Sequence, residues 1–321
     1  MNTTDNSLES TKLVVFCDLL GVTSNVVLAF PKTEYATNQG IALITMCVLI
    51  IFTVSLNGVA ALTISRSSQL KSKPCYFIIF MQSCIDLTAC FLTAPLFILM
   101  MLNGVNGTQA RCIVSTLLVI STCFTIGLSS INLFAMTWER YVAIFHPYRY
   151  PIVVTKTRLL FSLVFGFGID ALLQGVLVTL TDELAMIYIA MRTTILFFFT
   201  AFVYSKIYVV VRRLIRIDKV RAIGFDNVVN VGQTSVKWKV LIREVTQAKS
   251  CFLIVACFFT FNFLPALSLA PVMRTLEVFE QILAFTWIFL VMFLNSSFNS
   301  IIFFWAKKLL RKEASKIFGS S

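Results

Sequence analysis

The chain has 321 residues, 58% hydrophobic and only 13% charged, with a formal net charge of +12 and a mean hydropathy of +0.87. A soluble domain carries about 25% charged residues, and a water-exposed fold of this composition would leave far too much apolar surface uncovered. One histidine, His146, and nine scattered cysteines without a close pair at metal spacing argue against a zinc or thiol-redox centre.

In chain order, residues 1–40 come first as an expected extracellular segment. They lack the basic start and early apolar core of a signal peptide, so the first span is expected to direct insertion. Apolar stretches near or above the ~20 residues that cross a bilayer then recur. They lie at about 41–65, 76–102, 112–138, 159–180, 185–211, 250–272 and 281–305. The fold expected is all-α: a seven-transmembrane helix bundle over 41–305, closed by a short amphipathic eighth helix at the inner leaflet within 306–321. The tail "AKKLLRKEASKIF" sets Leu309, Leu310, Ile317 and Phe318 against Lys and Arg, the pattern of a surface-lying helix. The connection at 181–185 is tiny, whereas the one at about 212–249 is long, rich in Arg and Lys and interrupted by Gly224 and Gly232. It is expected to be partly disordered between helical extensions.

Charge sets the orientation. An odd number of spans puts the termini on opposite sides, and one side then holds 22 of the 27 Lys and Arg. The other side has Lys12, Lys32, Arg111 and Arg274, and Arg192 falls within a span. Cytoplasmic loops are the ones enriched in these residues, so the N-terminus is expected outside and the C-terminus in the cytoplasm. The positive charge is thus topology, and no nucleic-acid motif accompanies it. Sequons at Asn2 ("NTT") and Asn106 ("NGT") fall on the expected outer side and are candidate glycosylation sites. No internal repeat points to a transporter, and the charges form no constellation for a membrane enzyme.

The motifs within the spans carry a resemblance. "SLNGVAAL" supplies Asn57, "CIDLTACFLTAPL" supplies Asp86 and Pro95, and "ERYVAIFHPYRY" supplies Glu139, Arg140, Tyr141, Pro147 and Tyr148. "YSKI" places Tyr204, "FFTFNFLP" places Phe259 and Pro265, and "LNSSFNSIIFF" places Asn295, Ser296 and Asn299. In their order and spacing these resemble the rhodopsin-like (class A) G-protein-coupled receptors over about residues 41–318. There are departures. Ser300 and Phe303 replace the usual proline and tyrosine of the seventh span, and Phe263 stands where a tryptophan is usual. The short second outer loop without cysteine, and a fifth span without proline, resemble the melanocortin, cannabinoid and lysophospholipid receptor branch.

The resemblance implies a plasma-membrane receptor that passes an extracellular ligand signal to a heterotrimeric G protein, without a cofactor. The alternatives are a receptor-like scaffold that no longer signals and, less favoured, a transporter. Glu139, Arg140, Tyr141, Pro147, Tyr148, Tyr204, Asn299 and Phe303 would form the coupling and switch region. The family's partner acid for Arg140 would fall on Val245, beside Glu244. A carboxylate in mid-membrane is costly and usually faces a cavity with partners. Asp86 is therefore expected either to hold a sodium ion with Ser129, Asn295, Ser296 and Asn299, or to be protonated and hydrogen-bonded to Asn57 or Asn299. Arg192 either snorkels, pairs with Asp170 or contacts an anionic ligand group. Thr122 takes the place of the amine receptors' aspartate and Phe293 that of the opsins' lysine, which disfavours both ligand classes. Thr122, Arg192, Phe259, Phe263, Trp287 and Phe293 are the candidate ligand pocket. Cys17 is the only other cysteine on the expected outer side, so a Cys17–Cys112 disulfide would tie the N-terminal segment over that pocket.

Overall fold

The computed structural model describes residues 14–19, 22–27, 34–102, 108–180, 182–224, 251–263 and 276–319. The following helices make up the bundle: α1 Glu34–Arg66, α2 Pro74–Met101, α3 Thr108–Phe145, α4 Lys156–Leu180, α5 Asp182–Gly224, α6 Cys251–Asn262, α7 Val278–Ala306 and α8 Lys308–Phe318. Six of them, α1 to α5 and α7, are long and apolar enough to cross a membrane. The described part of α6 is a shorter apolar helix. The expected sixth span, 250–272, and the long connection, 212–249, thus lie partly outside the described residues, as do Val245, Asn2 and Asn106. Within that connection, α5 continues helical to Gly224. At 33 residues, α1 is about 50 Å long at 1.5 Å per residue, well beyond the hydrocarbon thickness.

The all-α expectation fails at the N-terminus. Val14–Leu19 (β1) and Val22–Val27 (β2) form an antiparallel hairpin, with Val14 opposite Val27 and Cys17 opposite Ser24. The signal was present: two runs rich in β-branched residues, separated by two residues that include Gly21. The hairpin packs on α3, and Cys17 is disulfide-bonded to Cys112 near the start of that helix, with Cα atoms 5.6 Å apart.

Proline shapes α2. Its ring removes a backbone donor and clashes with the preceding turn, and here the turn before Pro95 is a π-helical stretch, Ala89–Thr93. Such bulges absorb the missing bond without ending the helix. α7 is continuous through Ser300, which keeps its N–H where a proline would have none.

Burial follows from a bilayer rather than water. On α4, Phe161, Val164 and Leu172 are all more than 60% exposed, the pattern of a helix facing lipid. The buried side holds two apolar clusters. One joins α2, α3, α5, α6 and α7 around Tyr204, Phe258 and Phe303; the other surrounds Phe97, Phe289 and Phe293. Polar side chains run between them along α1, α2, α3 and α7.

Candidate functional site

The end of α3 that meets the basic loops answers what Glu139 and Arg140 do. Both side chains are buried, at 1% and 2% exposed, and they form a bidentate ion pair through the Arg140 Nε and Nη2 atoms. A short helical turn at Tyr150–Val153 brings the Tyr150 hydroxyl 2.6 Å from Glu139 Oε1, to which it donates. Burial, with the Glu139 carboxylate beside it, pushes the Tyr150 hydroxyl far above the usual phenol range, so it stays a donor. Tyr204 and Phe303 are buried in the same apolar cluster, and the Tyr204 hydroxyl has no hydrogen-bond partner among the described residues. Pro147 and Tyr148 lie in the turn beyond α3, where Tyr148 is 84% exposed. Tyr141 stacks on Trp138 and contacts Phe145 and His146.

In mid-bundle, Asp86 is 2% exposed and held from two sides. Gln82 Nε2 donates to its Oδ1 at 3.3 Å, and Asn299 Nδ2 donates to its Oδ2 at 3.3 Å. Asn57 does not reach it. Asn57 instead accepts from Ser300 Oγ at 2.5 Å and donates to the Thr53 and Ser296 carbonyls. Thr53 and Ser297 add a 2.6 Å hydroxyl contact, so α1 and α7 share a polar seam. A cavity of about 50 Å³ lies beside Asp86, lined also by Ser129, Asn295, Ser296, Thr122 and Phe293. That volume suits an ion with a few waters, whereas small-molecule pockets run to about 300–1,000 Å³. The donor set fits a hard cation: one carboxylate, two hydroxyls and the buried Asn295 Oδ1, which has no partner among the described residues. Asn299 Oδ1 is likewise unpartnered, but its residue does not line the cavity.

Among the described residues, the candidate ligand pocket does not assemble as one site. Arg192 Nη1 donates to both oxygens of Asp170 at 2.7 Å, and Tyr188 donates to the same carboxylate at 2.8 Å. The guanidinium is therefore committed to an internal pair, and snorkelling is ruled out at this position. Gly127 on α3 lets Asp170 come this close: a Cβ there would sit 2.7 Å from Asp170 Oδ2. Phe259 lines a different space, a mostly apolar groove of about 380 Å³ between α5 and α6 that includes Tyr204 and Phe252. Trp287 is 37% exposed on the outer face of α7 and lines neither of these two spaces. The side chain of Phe263 lies outside the described residues. Among the described candidates, Thr122 and Phe293 line the same cavity.

Comparison with known proteins places this arrangement. Residues 56–183 match the family model described as 7 transmembrane receptor (rhodopsin family). Over that stretch, which is less than half of the chain, it is similar to the rhodopsin family of seven-transmembrane receptors. Human olfactory receptor 2T5 is 32% identical over 123 residues, which cover 37% of this chain and 38% of that receptor. Human olfactory receptor 52P1 is 29% identical over 124 residues, 38% of this chain and 36% of its own length. The rat histamine H2 receptor is 30% identical over 132 residues, 41% of this chain and 36% of its own. The chain thus spans little more than a third of the length of these curated relatives. Their names give no support to the melanocortin, cannabinoid and lysophospholipid placement. The family is one of receptors, not enzymes.

Within this bundle, several contact residues were not legible from the sequence. Gln82 lies one helical turn before Asp86 on the same face, a signal that spacing could have given. Tyr150, Tyr188, Gly127 and the Ser300–Asn57 bond depend on how neighbouring helices are rotated, which spacing along one helix does not reveal.

Proposed function

We propose that the chain is a ligand-activated receptor that couples to heterotrimeric G proteins, with its N-terminus outside the plasma membrane and its C-terminus in the cytoplasm. The observation that carries this reading is the buried Glu139–Arg140 pair at the basic end of α3, capped by Tyr150. A guanidinium desolvated in this way is stable only while its carboxylate stays in place. Release toward the cytoplasm would turn its five donors to a partner surface. The pair is thus a bistable element that a ligand binding elsewhere can bias. In this reading α6 belongs to the sixth of seven spans, and α8 lies on the inner leaflet with Leu310 buried toward the bundle.

The ligand class is narrowed by chemistry. Thr122 donates to the Leu118 carbonyl at 2.7 Å and provides no carboxylate for an ammonium group, so the reading excludes an amine although histamine receptors are among the relatives. Phe293 provides no amine for a retinal Schiff base, which excludes an opsin. Were a cation to displace the amide of Gln82 from Asp86 and Ser129, its ligands in the cavity would be Asp86, Ser129, Asn295 and Ser296. Asn299 acts from outside that cavity by holding Asp86 Oδ2.

Two experiments test the proposal. An epitope tag at the N-terminus should stain intact cells, and staining only after permeabilisation would overturn the orientation. A compound screen read out by G-protein activation should find responses in the wild type that Arg140→Ala abolishes at equal surface expression. A compound that binds both proteins and gives the same response in each would leave the scaffold reading in its place.

A further inference from the structure

Gln82 is fully buried and sits where two helices meet. It lies on α2 four residues before Asp86, so the two side chains share a face. Its amide nitrogen has two N–H groups and both are used: one reaches Asp86 Oδ1 at 3.3 Å, the other Ser129 Oγ on α3 at 3.1 Å. Its carbonyl oxygen accepts from Asn132 Nδ2, also on α3, at 2.8 Å. This network fixes the orientation of the amide. Turned over, it would set Oε1 against the carboxylate and two amide nitrogens against each other.

Asp86 and Ser129 are also two of the oxygens that a cation in the adjoining cavity would need. The Gln82 nitrogen bridges those two atoms, and Asn299 takes the second carboxylate oxygen. A cation has to compete for lone pairs that an attached donor already holds, and it must shed its own water to do so. The attached donor loses no translational freedom in binding, which weighs the competition in its favour.

We propose that Gln82 is a built-in substitute for an external cation: its amide ties Asp86 to α3 and suppresses monovalent-cation binding in this chain. The inference rests on reading the Asp86 cavity as cation-sized, and it is independent of whether the chain signals. Sodium affinity is therefore expected to be set by residue 82 more than by residue 86 alone. In Gln82→Glu the shape is kept, the donors become acceptors and a second carboxylate faces the cavity. In Gln82→Leu the donors are removed at similar volume.

The test is the thermal stability of the purified full-length protein in lipid nanodiscs, titrated with sodium chloride against choline chloride at constant ionic strength. Wild type is expected to show little sodium-specific shift. Gln82→Glu should show at least a tenfold gain in apparent sodium affinity, with Gln82→Leu between the two, and the added Asp86→Asn should remove the gain. If Gln82→Leu does not fold, the comparison of wild type with Gln82→Glu decides alone. Sodium stabilisation in wild type as strong as in Gln82→Glu, or no gain in either variant, would overturn the proposal. An unchanged response in the Arg140→Ala experiment, which would end the G-protein reading, would leave it standing.

Discussion

Removing the Arg192 guanidinium should unsettle the contact between α3, α4 and α5. Arg192 and Asp170 are 14% and 6% exposed at their side chains, so neither has water to fall back on. In Arg192→Leu the Asp170 carboxylate loses both 2.7 Å bonds and keeps only Tyr188 as a named donor. Breaking a buried pair from one side costs about 3–5 kcal/mol, whereas replacing both partners is often near neutral. Arg192→Leu is therefore expected to lose about 3–5 kcal/mol, and Asp170→Asn with Arg192→Gln should recover most of it. Gly127→Ala forces a Cβ to 2.7 Å from Asp170 Oδ2, an overpacking that costs about 1–3 kcal/mol. That penalty should shrink when Asp170 is also replaced by Ala. The assay is chemical or thermal unfolding of the purified protein in detergent, with surface expression as a cellular check. The reasoning is refuted if Arg192→Leu lies within about 1 kcal/mol of wild type, the range of an exposed pair. It is also refuted if the neutral double variant is no more stable than the single one.

Further outcomes are expected. Peptide mass spectrometry without reduction should find Cys17 linked to Cys112, and a free Cys112 thiol would contradict the hairpin tether. Phe303 is 1% exposed in the Tyr204 cluster, so Phe303→Tyr adds a hydroxyl where Tyr204 has no described partner. A bond gained there is worth about 0.5–1.5 kcal/mol, and basal G-protein activation should rise by a few-fold to tenfold, whereas an unchanged basal level would count against the switch. Glu313 accepts from Lys316 at 2.6 Å and from Ser67 at 2.8 Å, and these bonds hold its carboxyl below the usual range. A depressed carboxyl stabilises at pH above its unfolded value, and the contribution is lost as pH falls through the folded one. Docking of α8, followed by a spin label on the helix, should loosen on acidification in wild type, and Glu313→Gln should remove that pH dependence.

What the sequence determined by itself was local or additive. A run of apolar residues is long enough to cross a bilayer whatever its neighbours do. The Lys and Arg asymmetry is a count, and the Glu139–Arg140–Tyr141 and Asp86 motifs are legible from order and spacing. The amphipathic tail was legible too, since its period is a property of one helix. The tertiary structure decided everything that depends on helix rotation. It turned Arg192 to Asp170 rather than to lipid or a ligand, and set Trp287 outward. It gave Asn57 to Ser300 instead of Asp86, and brought Gln82 between Asp86 and Ser129. It also paired two short N-terminal runs into a hairpin, because strand pairing satisfies backbone groups across a turn rather than along a helix. In an apolar solvent almost every face of a helix can be hydrophobic, so the hydrophobic pattern fixes where a span begins and ends but only weakly which face looks inward. Buried polar groups supply the missing information, since each must find its partner on another helix.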